Sequence, residues 1–298
     1  MSKEPIENHL YRERDFSETF ETSLGLLRRN FSTIGKLVVV YVFPLSIAST
    51  VLSGWVLRSR SLSSFSEVWF GFALVILINL FTLGALHTVV ATVLRRVNAS
   101  GESGIKRPGF AQEFLAGYPG QLFVVLVMYG ITFLSLFLLI IGGPLLGTFF
   151  SVAPQAYASE EISAFQAVGR SFRITKKDFS SSFGLVLFAG FVLLVWIGLY
   201  GSVLFNLTYQ LLGIFTDAPS EVTLLIVENL LYILSGFYTL SWLAVVQFTF
   251  GIQYFNLRER IDHIRLKTQL DKVGEHILEA RNPLESESES EKPKRKVA

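Results

Sequence analysis

Residues Gly142 to Ala158 read Gly-Gly-Pro-Leu-Leu-Gly-Thr-Phe-Phe-Ser-Val-Ala-Pro-Gln-Ala-Tyr-Ala. How this stretch is read decides the fold. It is about 17 residues long, short of the roughly 20 that cross a hydrocarbon core about 30 Å thick. Its Gly-Gly-Pro start must turn or break any helix that precedes it. Three readings are open: a short span, a kinked extension of the helix before it, or a re-entrant segment.

Five neighbouring runs are unambiguous by length and apolarity: 34–57, 68–94, 122–141, 183–212 and 222–250. Charge decides the sixth, because Lys and Arg in short loops collect on the cytoplasmic side of a membrane. One basic group precedes the first run, with Lys3, Arg12, Arg14, Arg28 and Arg29. Arg95, Arg96, Lys106 and Arg107 follow the second, Arg170, Arg173, Lys176 and Lys177 precede the fifth, and Arg258, Arg260, Arg265 and Lys267 follow the last. If 143–158 spans, all four groups share one side, and the other side holds only Arg58, Arg60, a Gly-Gly-Pro turn and an acidic loop with Asp217 and Glu221. The expectation is an all-α, polytopic membrane protein with about six transmembrane helices, both termini cytoplasmic.

Composition agrees. Of 298 residues, 51% are hydrophobic and only 17% charged, against roughly 25% charged in soluble domains. Mean hydropathy is +0.47. A net charge of +2 predicts no nucleic-acid partner. The absence of cysteine excludes disulfides, thiol nucleophiles and cysteine metal sites. The polar first thirty residues lack a signal-peptide pattern, so the first span is expected to direct insertion.

The flanks carry an internal repeat. Arg28-Arg29-Asn30-Phe31-Ser32-Thr33 reads like Lys176-Lys177-Asp178-Phe179-Ser180-Ser181. At the same offset, Asp15-x-x-Glu18 matches Ser163-x-x-Gln166, each a helix N-cap with its capping-box partner, and Ser23 falls on Ser171. Phe16, Phe20, Leu24 and Leu27 line one face of the first segment; Ile162, Phe165, Val168 and Phe172 line one face of the second. Two amphipathic helices in the inner headgroup layer are predicted, with Arg28, Arg29, Arg170, Arg173, Lys176 and Lys177 as candidate lipid-headgroup contacts.

The domain plan is therefore a cytoplasmic N-terminus with an amphipathic helix (1–33), a membrane domain (34–252), a cytoplasmic helix (253–281) and a disordered Ser/Glu and basic tail (282–298). Leu266, Leu270, Val273 and Ile277 keep a heptad-like spacing too short for a coiled coil.

Candidates for chemistry are few. Glu228 is the acidic residue well inside a predicted span, with Asn229 beside it and Asn206 and Gln210 near the outer end of the preceding span. Asn79 and His87 share a helix face, being eight residues apart. Intramembrane polar groups are costly and mark either function or an interhelical hydrogen bond. The breaks at Gly142, Gly143, Pro144 and Pro154 fit either a tight turn or the interrupted helices that flank transporter sites. Gly143 and Gly147 have a small-xxx-small spacing. No nucleotide-binding loop, hydrolase elbow or paired metal-binding histidines occur, so no enzyme activity, cofactor or metal is expected.

The stretch Val152-Ala-Pro-Gln-Ala-Tyr-Ala-Ser-Glu-Glu161, followed by Ala167-Val-Gly-Arg-Ser-Phe-Arg-Ile-Thr-Lys-Lys-Asp-Phe179, resembles a broad bacterial family of multipass proteins. That family looks like the membrane domain found beside some glycerophosphodiester phosphodiesterases. The resemblance covers roughly residues 10–258 and implies a bacterial inner-membrane protein with about six helices. It does not imply the phosphodiesterase, which belongs to a separate soluble barrel of about 250 residues. The functional expectation is a non-enzymatic membrane scaffold or binder of lipids and of membrane or cytoplasmic protein partners. The alternative is a permease for a small or amphiphilic solute.

Overall fold

The computed structural model describes residues 10–58, 65–138, 142–192 and 221–264, with a few positions between and after them. All regular structure among the described residues is helical. In chain order the helices are α1 (Phe16–Arg29), α2 (Phe31–Tyr41), α3 (Phe43–Arg58), α4 (Phe65–Ser100), α5 (Phe110–Leu138), α6 (Gly142–Phe150), α7 (Ala153–Glu160), α8 (Ala164–Lys177), α9 (Phe179–Val192) and α10 (Glu221–Asp262).

Prolines set several of the boundaries. The first apolar run is not one straight helix: α2 and α3 meet at Val42 with a bend of 43°. Pro44 is the cause. It has no N–H for the Val40 carbonyl, and its ring crowds the turn before it. Residues 142–160 form two helices of 9 and 8 residues, broken at Ser151 and Val152. Pro154 sits in the first turn of α7, where its missing N–H is an orphan anyway. Pro119 lies inside α5, and the helix continues through it.

α4 stands at the centre, packed against α2, α3, α5, α7 and α10. Leu86, Val89, Val90, Val93 and Leu94 are buried, with Val152 just before α7, Ala156 of α7 and Phe248, Ile252 and Phe255 of α10 around them. The buried part of α4 is its second half. Its first half leaves Phe70, Ile76, Leu77 and Phe81 exposed. An exposed apolar belt this long marks a surface that meets something other than water. Ala73–Ser100 and Phe110–Thr132 are long and apolar enough to cross a membrane, and the bent pair α2–α3 makes a third if taken as one span. Among the described residues, the structure thus carries two to three such helices.

The chain before α1 is threaded between the ends of α4 and α10. Leu10 N–H donates to Asn98 Oδ1 at 3.1 Å. Asn256 grips Arg14 twice: it accepts the backbone N–H (2.9 Å) and donates to the carbonyl (3.0 Å). Glycines bring α6 close to α5. A Cβ on Gly142 would lie 2.9 Å from the Ser135 carbonyl oxygen, and one on Gly147 would lie 3.7 Å from the Thr132 methyl. Gly143 is buried.

α10 runs without interruption from Glu221 to Asp262, so the last apolar run and the start of the charged segment are one helix. His263 ends it in the left-handed region (φ 49°). Leu266, Leu270 and Val273 are exposed. The 282–298 tail lies outside the described residues.

Candidate functional site

The repeat is a structural one. α1 and α8 are each 14 residues long, and both capping boxes form. Asp15 accepts from the Glu18 N–H (2.8 Å) while Glu18 accepts from Asp15 N–H; Ser163 and Gln166 make the same reciprocal pair. Each helix docks on the bundle through a narrow seam. The seam is Thr19, Ser23 and Leu26 in α1 and Ala167, Ser171 and Ile174 in α8, position for position, all at most 3% exposed. Small residues there let the helix backbone approach its neighbours, and Ser171 donates to the Phe149 carbonyl at 2.7 Å.

The bulky apolar side chains do not fill the seam. Phe16, Leu24, Phe165 and Phe172 stay exposed, and Leu24 and Phe172 are counterparts in the two copies. Phe16 and Phe20 meet Phe188 of α9 edge-on. Beside α1, an apolar groove of about 610 Å³ is lined by Leu24, Leu27, Phe31, Val39 and Ala244, with Arg28 and Lys36 among its walls. Arg28, Arg173, Lys176 and Lys177 are exposed and have no ion-pair partner among the described residues.

Two of the predicted headgroup contacts are engaged within the protein. Arg29 pairs with Glu102 (2.8 Å), an exposed pair that also takes Asn30 Nδ2 at 2.9 Å. Arg170 is drawn into a lattice at the end of the bundle. Glu160, at the end of α7, accepts from Arg170, from Arg258 and from the Tyr254 hydroxyl (2.9 Å). Asp262 accepts from Arg170 and Arg258 as well. Burial pushes the Tyr254 phenol well above its usual range, so it stays protonated and donates. The lattice locks α7, α8 and α10 together. Asp178, the joint after α8, is held by Arg260 at 2.9 Å. The equivalent joint Asn30, a donor, is held by an acid instead.

The intramembrane polar candidates scatter. Asn79 accepts from Ser49 Oγ (3.0 Å) and donates to the Val75 carbonyl (2.8 Å), an α3–α4 tie. His87 is 2% exposed and lies near the Tyr129 ring, with no hydrogen-bond partner at Nε2. Glu228 falls within α10, but its side chain, like Asn206 as a whole, lies outside the described residues. Gly142, Gly143 and Pro144 form the first turn of α6.

One site escaped the sequence reading. A cavity of about 340 Å³ opens between α4, α5 and α7, lined by Thr88, Thr92, Arg95, Glu113, Gln121 and Glu161, with Gly117 and Tyr157 in its walls. Glu113 pairs with Arg95 (2.6 Å) and with Arg96 (2.8 Å). Gln121, 1% exposed, donates to the Pro154 carbonyl at 2.7 Å, and its Oε1 has no partner. A run drawn from Leu122 stops one residue short of Gln121. The signal was Pro119-Gly120-Gln121, three residues unlike their apolar surroundings. Compared with protein-family models, curated proteins and solved structures, the chain matches none, and the reading of its function rests on its own residues.

Proposed function

We propose that this chain is a non-enzymatic, six-span protein of a bacterial inner membrane whose α1 and α8 lie in the cytoplasmic headgroup layer and engage anionic lipid. The observation that carries the reading is the duplicated helix: two copies dock through the same seam, turn apolar side chains outward and leave Arg28, Arg173, Lys176 and Lys177 exposed, with no ion-pair partner among the described residues. Apolar burial at the interface and attraction to anionic headgroups add together in such helices. The resemblance to the membrane domain associated with glycerophosphodiester phosphodiesterases belongs to the same proposal.

The chain has no cysteine, so it is a ready background for single-site labels. Spin labels at L24C and F172C, in vesicles containing phosphatidylglycerol, should be accessible to oxygen and shielded from a water-soluble nickel reagent. Free access of the nickel reagent at both positions overturns the reading. In oriented vesicles K176C should react only from the cytoplasmic side; labelling from outside overturns the six-span topology.

A second reading, passage of a small solute, is favoured by the polar cavity beside the broken α6–α7 pair. Its test is flux across proteoliposomes.

A further inference from the structure

We infer that the groove between α1, α2 and α10 is a site for one anionic phospholipid, with an acyl chain in the groove and the phosphate against Arg28 and Lys36. The inference rests on the reading of α1 as a headgroup-layer helix and gives that helix a defined ligand.

The groove is graded from polar to apolar. Ser32, Lys36 and Val39 stand at i, i+4 and i+7 on α2 and so share a helix face, and all three line the groove. Ser32 and Lys36 come first in the chain, together with Arg28 in the last turn of α1. Val39 and Val40 follow, with Ala244 and Val245 of α10. From Ser32 to Val40 is roughly 12 Å along the helix, comparable with the depth at which an interfacial segment meets the acyl chains. At about 610 Å³, the space falls within the range that holds one small ligand. Phe31 in its lining is 75% exposed, apolar surface that gains from being covered.

The second copy of the repeat shows the same positions closed. At the repeat offset, Leu24, Phe31 and Gly35 correspond to Phe172, Phe179 and Phe183. There Phe149 of α6 packs on Phe172 (4.8 Å between ring centres) and on Phe179 (5.1 Å), and Phe179 stacks on Phe183 (5.2 Å). In the first copy a leucine and a glycine replace two of those rings, and a Cβ built on Gly35 meets nothing within 4 Å. Positions packed by aromatic rings in one copy are left open in the other, with room for an occupant from outside the fold.

Charge names that occupant. Arg28 and Lys36 are exposed and have no ion-pair partner among the described residues, and the described lining holds no acid. The closed copy has Gly184 where the open copy has Lys36, so the extra cation accompanies the open groove. An anionic headgroup pairs with both cations while Lys36 lays its methylenes on the apolar wall. A second copy of this chain fits less well, because an isologous contact sets each Arg28 and Lys36 against the same basic surface.

The test is native mass spectrometry of the full chain in detergent, with dioctanoyl phosphatidylglycerol and, as the zwitterion, dioctanoyl phosphatidylcholine. One phosphatidylglycerol should bind per chain, more tightly than phosphatidylcholine. R28Q and K36Q should each weaken it by about fivefold. G35L puts a side chain into the open groove and should weaken it by about tenfold or more, since each displaced methylene is worth about fourfold. The thermal midpoint of lipid-free G35L should be unchanged or raised, leucine being the better helix former, which shows that the variant is folded. G169L, at an equally open glycine of α8, should bind as the unaltered chain does. No binding of phosphatidylglycerol, equal affinity for the two lipids, an affinity unchanged in G35L, or equal weakening by G169L overturns the inference. If it is overturned while labels at L24C and F172C stay shielded from nickel, the groove fails and the headgroup-layer reading stands. Nickel access at both labels removes the reading beneath it.

Discussion

At the scale of single residues, close backbone approach explains where this chain tolerates no side chain. A Cβ on Gly104 would sit 2.5 Å from the Arg96 carbonyl oxygen. That carbonyl belongs to the helix backbone of α4 and cannot move aside. A Cβ on Gly251 would sit even closer, 2.1 Å, to an atom, but that atom is a Leu94 methyl at the end of a rotatable side chain. We therefore expect G104A to destabilise the folded chain by about 2 kcal/mol and G251A by under about 1 kcal/mol, despite the shorter distance at Gly251. Thermal unfolding of the two variants in one detergent checks this ranking; the reverse order would refute it. Pro44 and Pro154 act at the same scale. Both turn the chain where a carbonyl four residues earlier would otherwise need an N–H.

Among elements, α1 and α8 are the informative pair. Their capping boxes were legible from sequence because the reaction partners are three residues apart, and local chemistry alone brings them together. Their amphipathic faces were legible for the same reason. Which face packs was not. The sequence places the apolar face with its phenylalanines in the headgroup layer and assigns no residues to the protein side; the bundle takes the small residues Thr19 and Ser23, or Ala167 and Ser171. If the helices are equivalent, their caps are equivalent too. D15A and S163A should each cost about 1 kcal/mol, with faster hydrogen exchange confined to the first turn of the affected helix. A cost at one cap and none at the other would break the equivalence.

Across the whole molecule, the ion-pair lattice around Glu160 fastens the consecutive helices α7 and α8 to α10, which is far from them in the chain. Arg170 lies 10 residues from Glu160 and Arg258 lies 98. Glu160 and Arg258 have side chains only 16% and 14% exposed. Removing the acid would leave guanidinium groups sequestered from water with half their partners, which costs about 3 kcal/mol or more. The Arg29–Glu102 pair is 62% and 40% exposed, and such pairs contribute about 0–1 kcal/mol. E160Q should lower the unfolding midpoint far more than E102Q. Comparable losses would mean that the lattice is as solvated as the surface pair.

The helical, membrane-compatible character of the chain followed from composition and from runs of apolar residues, since the period and length of such runs are properties of neighbouring residues. The break at Gly142–Pro144 was likewise local; the 43° bend beside Pro44 was hidden by the unbroken apolarity of 34–57. Arg170 looked from its sequence like any other interfacial cation. Only packing showed that Glu160 and Asp262 reach it, because the ends of α7 and α10 meet at the middle of α8, and Asp262 lies 92 residues away in the chain. The cavity is the same kind of fact. Thr88, Gln121 and Glu161 come from three separate elements, and no spacing along the chain reports that they share one space. Residues 142–160 show both limits. Their sequence announces a broken apolar segment; that the break falls at Ser151–Val152, and that α7 then sets Pro154 beside Gln121, was decided by how α4, α5 and α7 pack.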